Sequence, residues 1–292
     1  MYRATYNIYL SGGGLKGAYQ YGFFKELYRV WPDFPVSRVY AVSVGAINSV
    51  PIVTRNMAAL DPFWNNPDGI HPFDLIVEDW PTTEDDEEKD KEEKDNKPIK
   101  RVKSLFKHGS LFKNLKKKPH EDFLNQMSED HWNCVKEKLF IISFCKKNKE
   151  TRIMPCTSKH QILDAIVASS RFPGLFECSK EATEIDGVFA DIKALFQKEN
   201  EKKEKVKWLC LDIQNDPLNF NFENENEENK ENKEKFTIFR PLITKIPWYG
   251  HVSALLSNRF VLDHLIQNGI DDAQTFYNKS LCDSNETRST EL

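Results

Sequence analysis

The chain has 292 residues, enough for about two average domains or for one large α/β domain with extensions. Forty-one Lys and Arg against 45 Asp and Glu leave a formal charge of −4, which excludes the basic balance of a dedicated nucleic-acid binder. There is no run of about eighteen apolar residues for an ordinary transmembrane helix, and the opening MYRATYNIYLSGGG reaches its glycines too soon for a secretory signal. Cys134, Cys145, Cys156, Cys178, Cys210 and Cys282 are widely spaced with no C-x-x-C pair, so reduced structural thiols are expected, with neither a disulfide nor a zinc framework. A cytoplasmic protein is the expectation.

In chain order, Tyr6–Leu10 alternates and is rich in β-formers, which predicts a strand. It ends in Ser11-Gly12-Gly13-Gly14, and a helix is expected from Lys16 to about Val30. Arg38–Val42 reads as a second strand, followed at once by helix-compatible spacing over Val44–Ala59. Lys138–Cys145 is apolar throughout, as a buried parallel strand should be; Ile162–Ser170 reads as a helix and Val206–Ile213 as a fourth strand. Strands alternating with helices imply βαβ units and a mainly parallel sheet. From Pro247 to Tyr277, Leu255, Leu256, Phe260, Leu262, Leu265 and Ile266 form a helix-like set expected to pack on that sheet.

Three charged segments interrupt the pattern. Residues 84–97 carry thirteen charges in fourteen positions, and 198–207 and 223–235 repeat the theme. Such segments bury too little apolar area to offset the entropy of ordering them, and are expected to be solvated loops. The expected organisation is one core domain over 1–213 holding 84–97 as an insertion, a charged linker over 214–235, and a helical extension over 236–292 on the same domain.

Two turns carry chemistry. Gly12-Gly13-Gly14-Leu15-Lys16-Gly17, between a strand and a helix, formally matches G-x-G-x-x-G. A dinucleotide site needs an acid closing the second strand, and Ser43 stands there instead. The turn still offers backbone N–H groups at a helix N-terminus, where an oxyanion can approach without a Cβ in the way. In the second turn, Ala41-Val42-Ser43-Val44-Gly45, a strand is followed by one serine with a small residue two positions before and two after. That is the pattern of a nucleophile elbow, with Ala41 in place of the usual glycine.

Taken together, LSGGGLKGAYQYGFFKEL, AVSVGAINS, AIVASSRFPGLFE and DGV resemble the ordered blocks of patatin-like phospholipases over roughly residues 5–213. The resemblance implies a three-layer α/β/α sandwich with a mainly parallel central sheet. It also implies a lipid acyl hydrolase that uses no metal or other cofactor. On that family pattern Ser43 is the nucleophile, the turn of Gly12, Gly13, Gly14, Lys16 and Gly17 forms the oxyanion hole, and an aspartate before glycine completes a Ser–Asp dyad. Asp186, twelve residues after Gly174 and followed by Gly187, fits that acid; Val188 stands where the family usually has glycine or alanine. Asp191, followed by Ile192 and Lys193, is the fallback.

Three alternatives stay open on the sequence. A Ser–acid–His triad of α/β-hydrolase type would draw on His251 or His264, although only one strand–helix unit precedes Ser43. A catalytically silent patatin fold acting as a membrane-binding or interaction module is the second, kept alive by Ala41 and Val188. The third concerns residues 100–118, which hold eight Lys and Arg and no acid, interleaved with Val102, Leu105, Phe106, Leu111, Phe112 and Leu115. They read either as a basic amphipathic contact with a membrane surface or, in GSLFKNL, as a block whose apolar residues belong to the core. The expected partner is a lipid substrate at a membrane surface, with peripheral association and no nucleic acid.

Overall fold

The computed structural model describes residues 5–65, 77–78, 110, 112–154, 156–177, 182–200, 206–214, 235–241 and 259–289. The charged run 84–97, the basic residues 100–109, Cys178, His251 and nearly all of 214–235 lie outside the described residues.

β1 (Thr5–Leu10) leads through a 3-10 turn into α1 (Gly17–Val30), and β2 (Val36–Val42) leads into α2 (Val44–Thr54). A short α3 (Asp61–Trp64) follows, and β3 (Val77–Glu78) pairs antiparallel with β4 (Asn114–Leu115). After α4 (Lys118–Asn125) and α5 (Glu129–Lys138), β5 (Leu139–Cys145) turns back as β6 (Glu150–Met154). Next come α6 (Lys159–Ser169), β7 (Glu184–Asp186), α7 (Ile192–Asn200) and β8 (Val206–Leu211). β9 (Phe236–Phe239) and α8 (Arg259–Ser289) are the last described elements.

Strand order is β6-β5-β2-β1-β8-β9, with β7 also paired to β5. The neighbours from β5 through β9 pair in parallel, while β6 and β7 run antiparallel to β5. Period-two alternation assigns the faces. Ile8, Leu10, Val39, Ala41, Leu209 and Leu211 point into the larger core, shared with α1, α2, α6 and α8. The intervening Tyr9, Tyr40, Val42, Trp208 and Cys210 point the other way, onto Ile192, Leu195 and Phe196 of α7. The result is a mainly parallel sheet between helices: a three-layer α/β/α fold.

Two local expectations differ from the structure. Residues 198–207 do not form a solvated loop at either end: 198–200 complete α7, and Val206 and Lys207 open β8. Lys193 and Lys198 of α7 are exposed while its apolar residues meet Trp208, and Glu199 turns inward to pair with Arg38 at 2.7 Å. The segment from 236 opens with a strand, because Phe236-Thr237-Ile238-Phe239 is β-rich and finds the free edge of β8. Further along, α8 lies on α1 in near backbone contact. A Cβ on Gly22 would stand 2.2 Å from Ile266 O, and one on Gly269 would stand 2.2 Å from Tyr19 O. Tyr19 Oη donates to Asp272 at 2.6 Å across that seam, and Phe276 reaches Tyr6 and Phe34. Cys134, Cys145, Cys156, Cys210 and Cys282 are free thiols.

Candidate active site

Strand register brings the candidate nucleophile and acid together. β6 occupies one edge of β5 through Cys145, so β2 and β7 must share the other edge. β2 uses it up to the pair Val42–Ile142, and β7 takes over at the next residue with the pair Asp186–Ser143. Asp186 therefore fills the register position that Ser43 would take if β2 ran on, and Ser43 turns out beside it. Ser43 Oγ donates to Asp186 Oδ2 at 2.7 Å.

The turn at Ser43 is tight. Its φ of 55° and ψ of −123° lie outside the regions that L-residues favour. The following helix starts against β1, where a Cβ on Gly45 would meet Leu10 O at 2.4 Å, so only glycine fits. Ala41 is wholly buried in the larger core. Two serines at the end of α6 brace the turn: Ser43 N–H donates to Ser169 Oγ at 2.9 Å, Ser169 Oγ donates to Ile142 O, and Ser170 Oγ donates to Ser43 O at 3.3 Å. The sequence does not mark these two, because their shared partner Ser43 lies more than a hundred residues away. Their only trace is a pair of small polar residues between an apolar helix and the Phe-Pro-Gly block.

The glycine turn faces the same serine. Gly13 has φ 151° and Gly14 φ 57°. A Cβ on Gly12 would lie 2.9 Å from Ser43 Cβ, 3.5 Å from its Oγ and 2.6 Å from Val188 Cγ1. Gly17 starts α1 against α2, where its carbonyl accepts from Asn48 Nδ2 at 3.0 Å. Lys16 is buried, its Nζ donating to Ile213 O at 3.0 Å behind the turn; burial lowers its pKa, against the opposing pull of Asp212.

Asp186 is 1% exposed, and its Oδ1 accepts from Val188 N–H at 2.9 Å. Desolvation raises its carboxyl from 3.8 to about 7, although the hydrogen bonds from Val188 and Ser43 favour the charged form. A carboxylate in that range can take a proton near neutral pH. Asp191 is exposed and employed otherwise: its Oδ1 caps α7 through Ala194 N–H at 3.0 Å, and its own N–H donates to Thr151 Oγ1. His264 is exposed on α8. His120 is buried and stacked on Phe63. Among the described residues no group of His, Cys, Asp and Glu could hold a metal ion, and no helix is long and apolar enough to cross a membrane.

The family model for patatin-like phospholipases matches residues 8–192, from β1 to the start of α7. The chain belongs to the patatin-like phospholipase family. Its blocks therefore fall on elements that meet at one place: the glycine turn after β1, the elbow after β2, the end of α6 and the end of β7. A search of curated proteins gives no match. Among solved structures, VipD from Legionella pneumophila matches with 12% identity and a TM-score of 0.45, covering 95% of this chain and 67% of that one. The ExoU–SpcU heterodimeric complex from the type III secretion system of Pseudomonas aeruginosa matches with 14% identity and a TM-score of 0.41, covering 95% of this chain and 52% of that one. This patatin-like chain thus spans about half the length of the latter.

Proposed function

We propose that this patatin-like chain hydrolyses carboxylic esters of phospholipids or acylglycerols with Ser43 as nucleophile and Asp186 as general base. The single observation behind this reading is the 2.7 Å hydrogen bond from Ser43 Oγ to a buried carboxylate whose pKa is raised to about 7. A free aspartate is too acidic to accept a serine proton efficiently at neutral pH, whereas a base near the operating pH suits general base catalysis.

Ser43 Oγ attacks the acyl carbonyl as its proton passes to Asp186 Oδ2. The developing oxyanion sits against the turn of Gly12, Gly13 and Gly14, where backbone N–H groups stabilise it and no Cβ intervenes. Gly17 lets α1 start close to that turn, and Lys16 holds the turn to Ile213 while placing a cationic side chain behind it. Collapse of the tetrahedral species expels the alcohol, which takes the proton from Asp186 and leaves an acyl-enzyme on Ser43. Asp186 then activates a water to release the fatty acid. No metal or other cofactor enters this course.

A fluorophosphonate probe should label wild type at Ser43, and fatty acid should be released from phospholipid vesicles. Ser43→Ala should lose both while keeping its fold. Full ester hydrolysis by Ser43→Ala would overturn the reading.

A further inference from the structure

Among the described residues four large hydrophobics are exposed, and three of them, Ile153, Phe172 and Phe189, belong to elements around Ser43 and Asp186. Phe172 and Phe189 are 40% and 46% exposed, and their rings stack on each other at 5.5 Å. Both are anchored to the site. Phe172 N–H donates to Ser170 O, Asp186 N–H donates to the carbonyl of the intervening Arg171, and Phe189 lies three residues past Asp186. An aromatic pair left 40% and 46% exposed beside a reaction centre keeps apolar area unburied, and marks a surface that meets something apolar.

Charge on the turn beside β7 indicates the partner. The β5–β6 turn carries Lys146, Lys147 and Lys149, none of them in an ion pair among the described residues. β5 runs two residues, about 7 Å, past the Ser143–Asp186 pair before this turn begins at Lys146. Lys146 N–H fastens it to Thr183 O on the approach to β7. Of the nearby acids, Glu150 and Glu184 are both engaged by Arg152, at 3.3 and 2.8 Å, and Asp191 caps α7. Exposed Glu177 and exposed Lys193 carry opposite charges. The excess is positive, which suits an anionic lipid surface.

We propose that the Phe172–Phe189 pair and the Lys146–Lys149 turn form an interfacial anchor for an anionic membrane. The rings enter the boundary between head groups and acyl chains, the lysines meet the head groups, and ester carbonyls are thereby presented at Ser43. The anchor rests on the lipid reading above only for the identity of the substrate.

The test separates binding from hydrolysis. Binding is measured by co-sedimentation of the full chain carrying Ser43→Ala, so that the vesicles stay intact, on phosphatidylcholine with about one-third phosphatidylserine. Adding Phe172→Ala and Phe189→Ala should weaken binding about tenfold or more, while Phe172→Trp with Phe189→Trp should retain it. Lys146→Glu, Lys147→Glu and Lys149→Glu together should weaken binding to the anionic vesicles and leave binding to pure phosphatidylcholine unchanged. With Ser43 intact, hydrolysis of a short soluble ester by the Phe→Ala pair should stay within about twofold of wild type. Undiminished vesicle binding by the Phe→Ala pair would overturn the anchor. So would a parallel loss on the soluble ester, which would make the rings part of the substrate path. If wild type hydrolyses no ester while binding still depends on the rings, the anchor stands and the hydrolase reading falls.

Discussion

A serine at φ 55° holds a conformation worth roughly 1–3 kcal/mol of strain, which the surroundings must sustain. Here they do so through Ser169 and Ser170, so Ser169→Ala should be costly out of proportion to one oxygen. It removes the acceptor for Ser43 N–H and the donor to Ile142 O, for an expected loss of about 1–3 kcal/mol in denaturant unfolding. As a positioning change it should lower kcat and leave the pH dependence of the rate where it was; a shifted pH midpoint would mean that Ser169 acts on the base itself. The acids separate in the same assay. With Asp186 as base, wild-type activity should rise with pH through about 7, where the buried carboxyl loses its proton, and Asp186→Asn should cut the rate by orders of magnitude. Asp191→Ala should leave the rate intact and cost about 1 kcal/mol of stability through its lost helix cap. The opposite ranking would move the base to Asp191. Ser43 was legible because a strand, a serine and small neighbours are local features. Asp186 was legible from a resemblance in spacing. Ser169 and Ser170 were not, since what makes them matter is the sheet register that brings the end of α6 beneath the elbow.

Among elements, the pairing of α1 with α8 carries the clearest prediction. Gly→Ala in a helix interior ordinarily gains up to about 1 kcal/mol. At Gly269 the added Cβ would sit 2.2 Å from Tyr19 O and 2.7 Å from Phe23 N, backbone atoms that can yield only if the helices part. Gly269→Ala should therefore destabilise the chain by a net of about 1–3 kcal/mol, read as a lower thermal midpoint. A rise in the midpoint would show that α8 sits more loosely on α1. The elements that the sequence did not reveal have physical reasons of their own. β7 has three residues and depends wholly on the edge of β5. In α7 the Lys and Glu that suggested a solvated segment share a helix with Leu195 and Phe196, whose burial against Tyr9 and Trp208 outweighs the local composition. Strands β1, β2, β5 and β8 needed no such context, because burial on both faces leaves apolar runs such as Val39–Val42, Leu139–Ile142 and Trp208–Leu211.

For the whole molecule, two buried groups tilt the pH dependence of stability in opposite senses. Asp186 has a folded-state pKa of about 7, above the usual 3.8, so between those values the native state holds a proton that the unfolded chain has released. Its contribution to stability is fully present below about 4 and is lost as pH rises through 7, with a ceiling of about 4 kcal/mol. His120, pushed by burial from 6.5 to about 4 and without a partner for Nε2 among the described residues, does the reverse. Its contribution is present above about 6.5 and is lost as pH falls toward 4, with a ceiling of about 3 kcal/mol. Between about 4 and 6.5 the two slopes largely cancel, so removing one should expose the other. Asp186→Asn keeps the shape and the acceptor for Val188 N–H, and turns the other position into an amide donor to Ser43 Oγ, while dropping the charge. It should unfold several degrees above wild type at pH 7.5, with the advantage fading toward pH 4.5. With His120 then unopposed, its acid destabilisation should steepen. Adding His120→Phe, which preserves the contact with Phe63, should flatten that acid limb. A midpoint for Asp186→Asn below wild type at pH 7.5 would mean that the carboxylate is stabilised in place, and that the burial which makes it a base carries no penalty in stability.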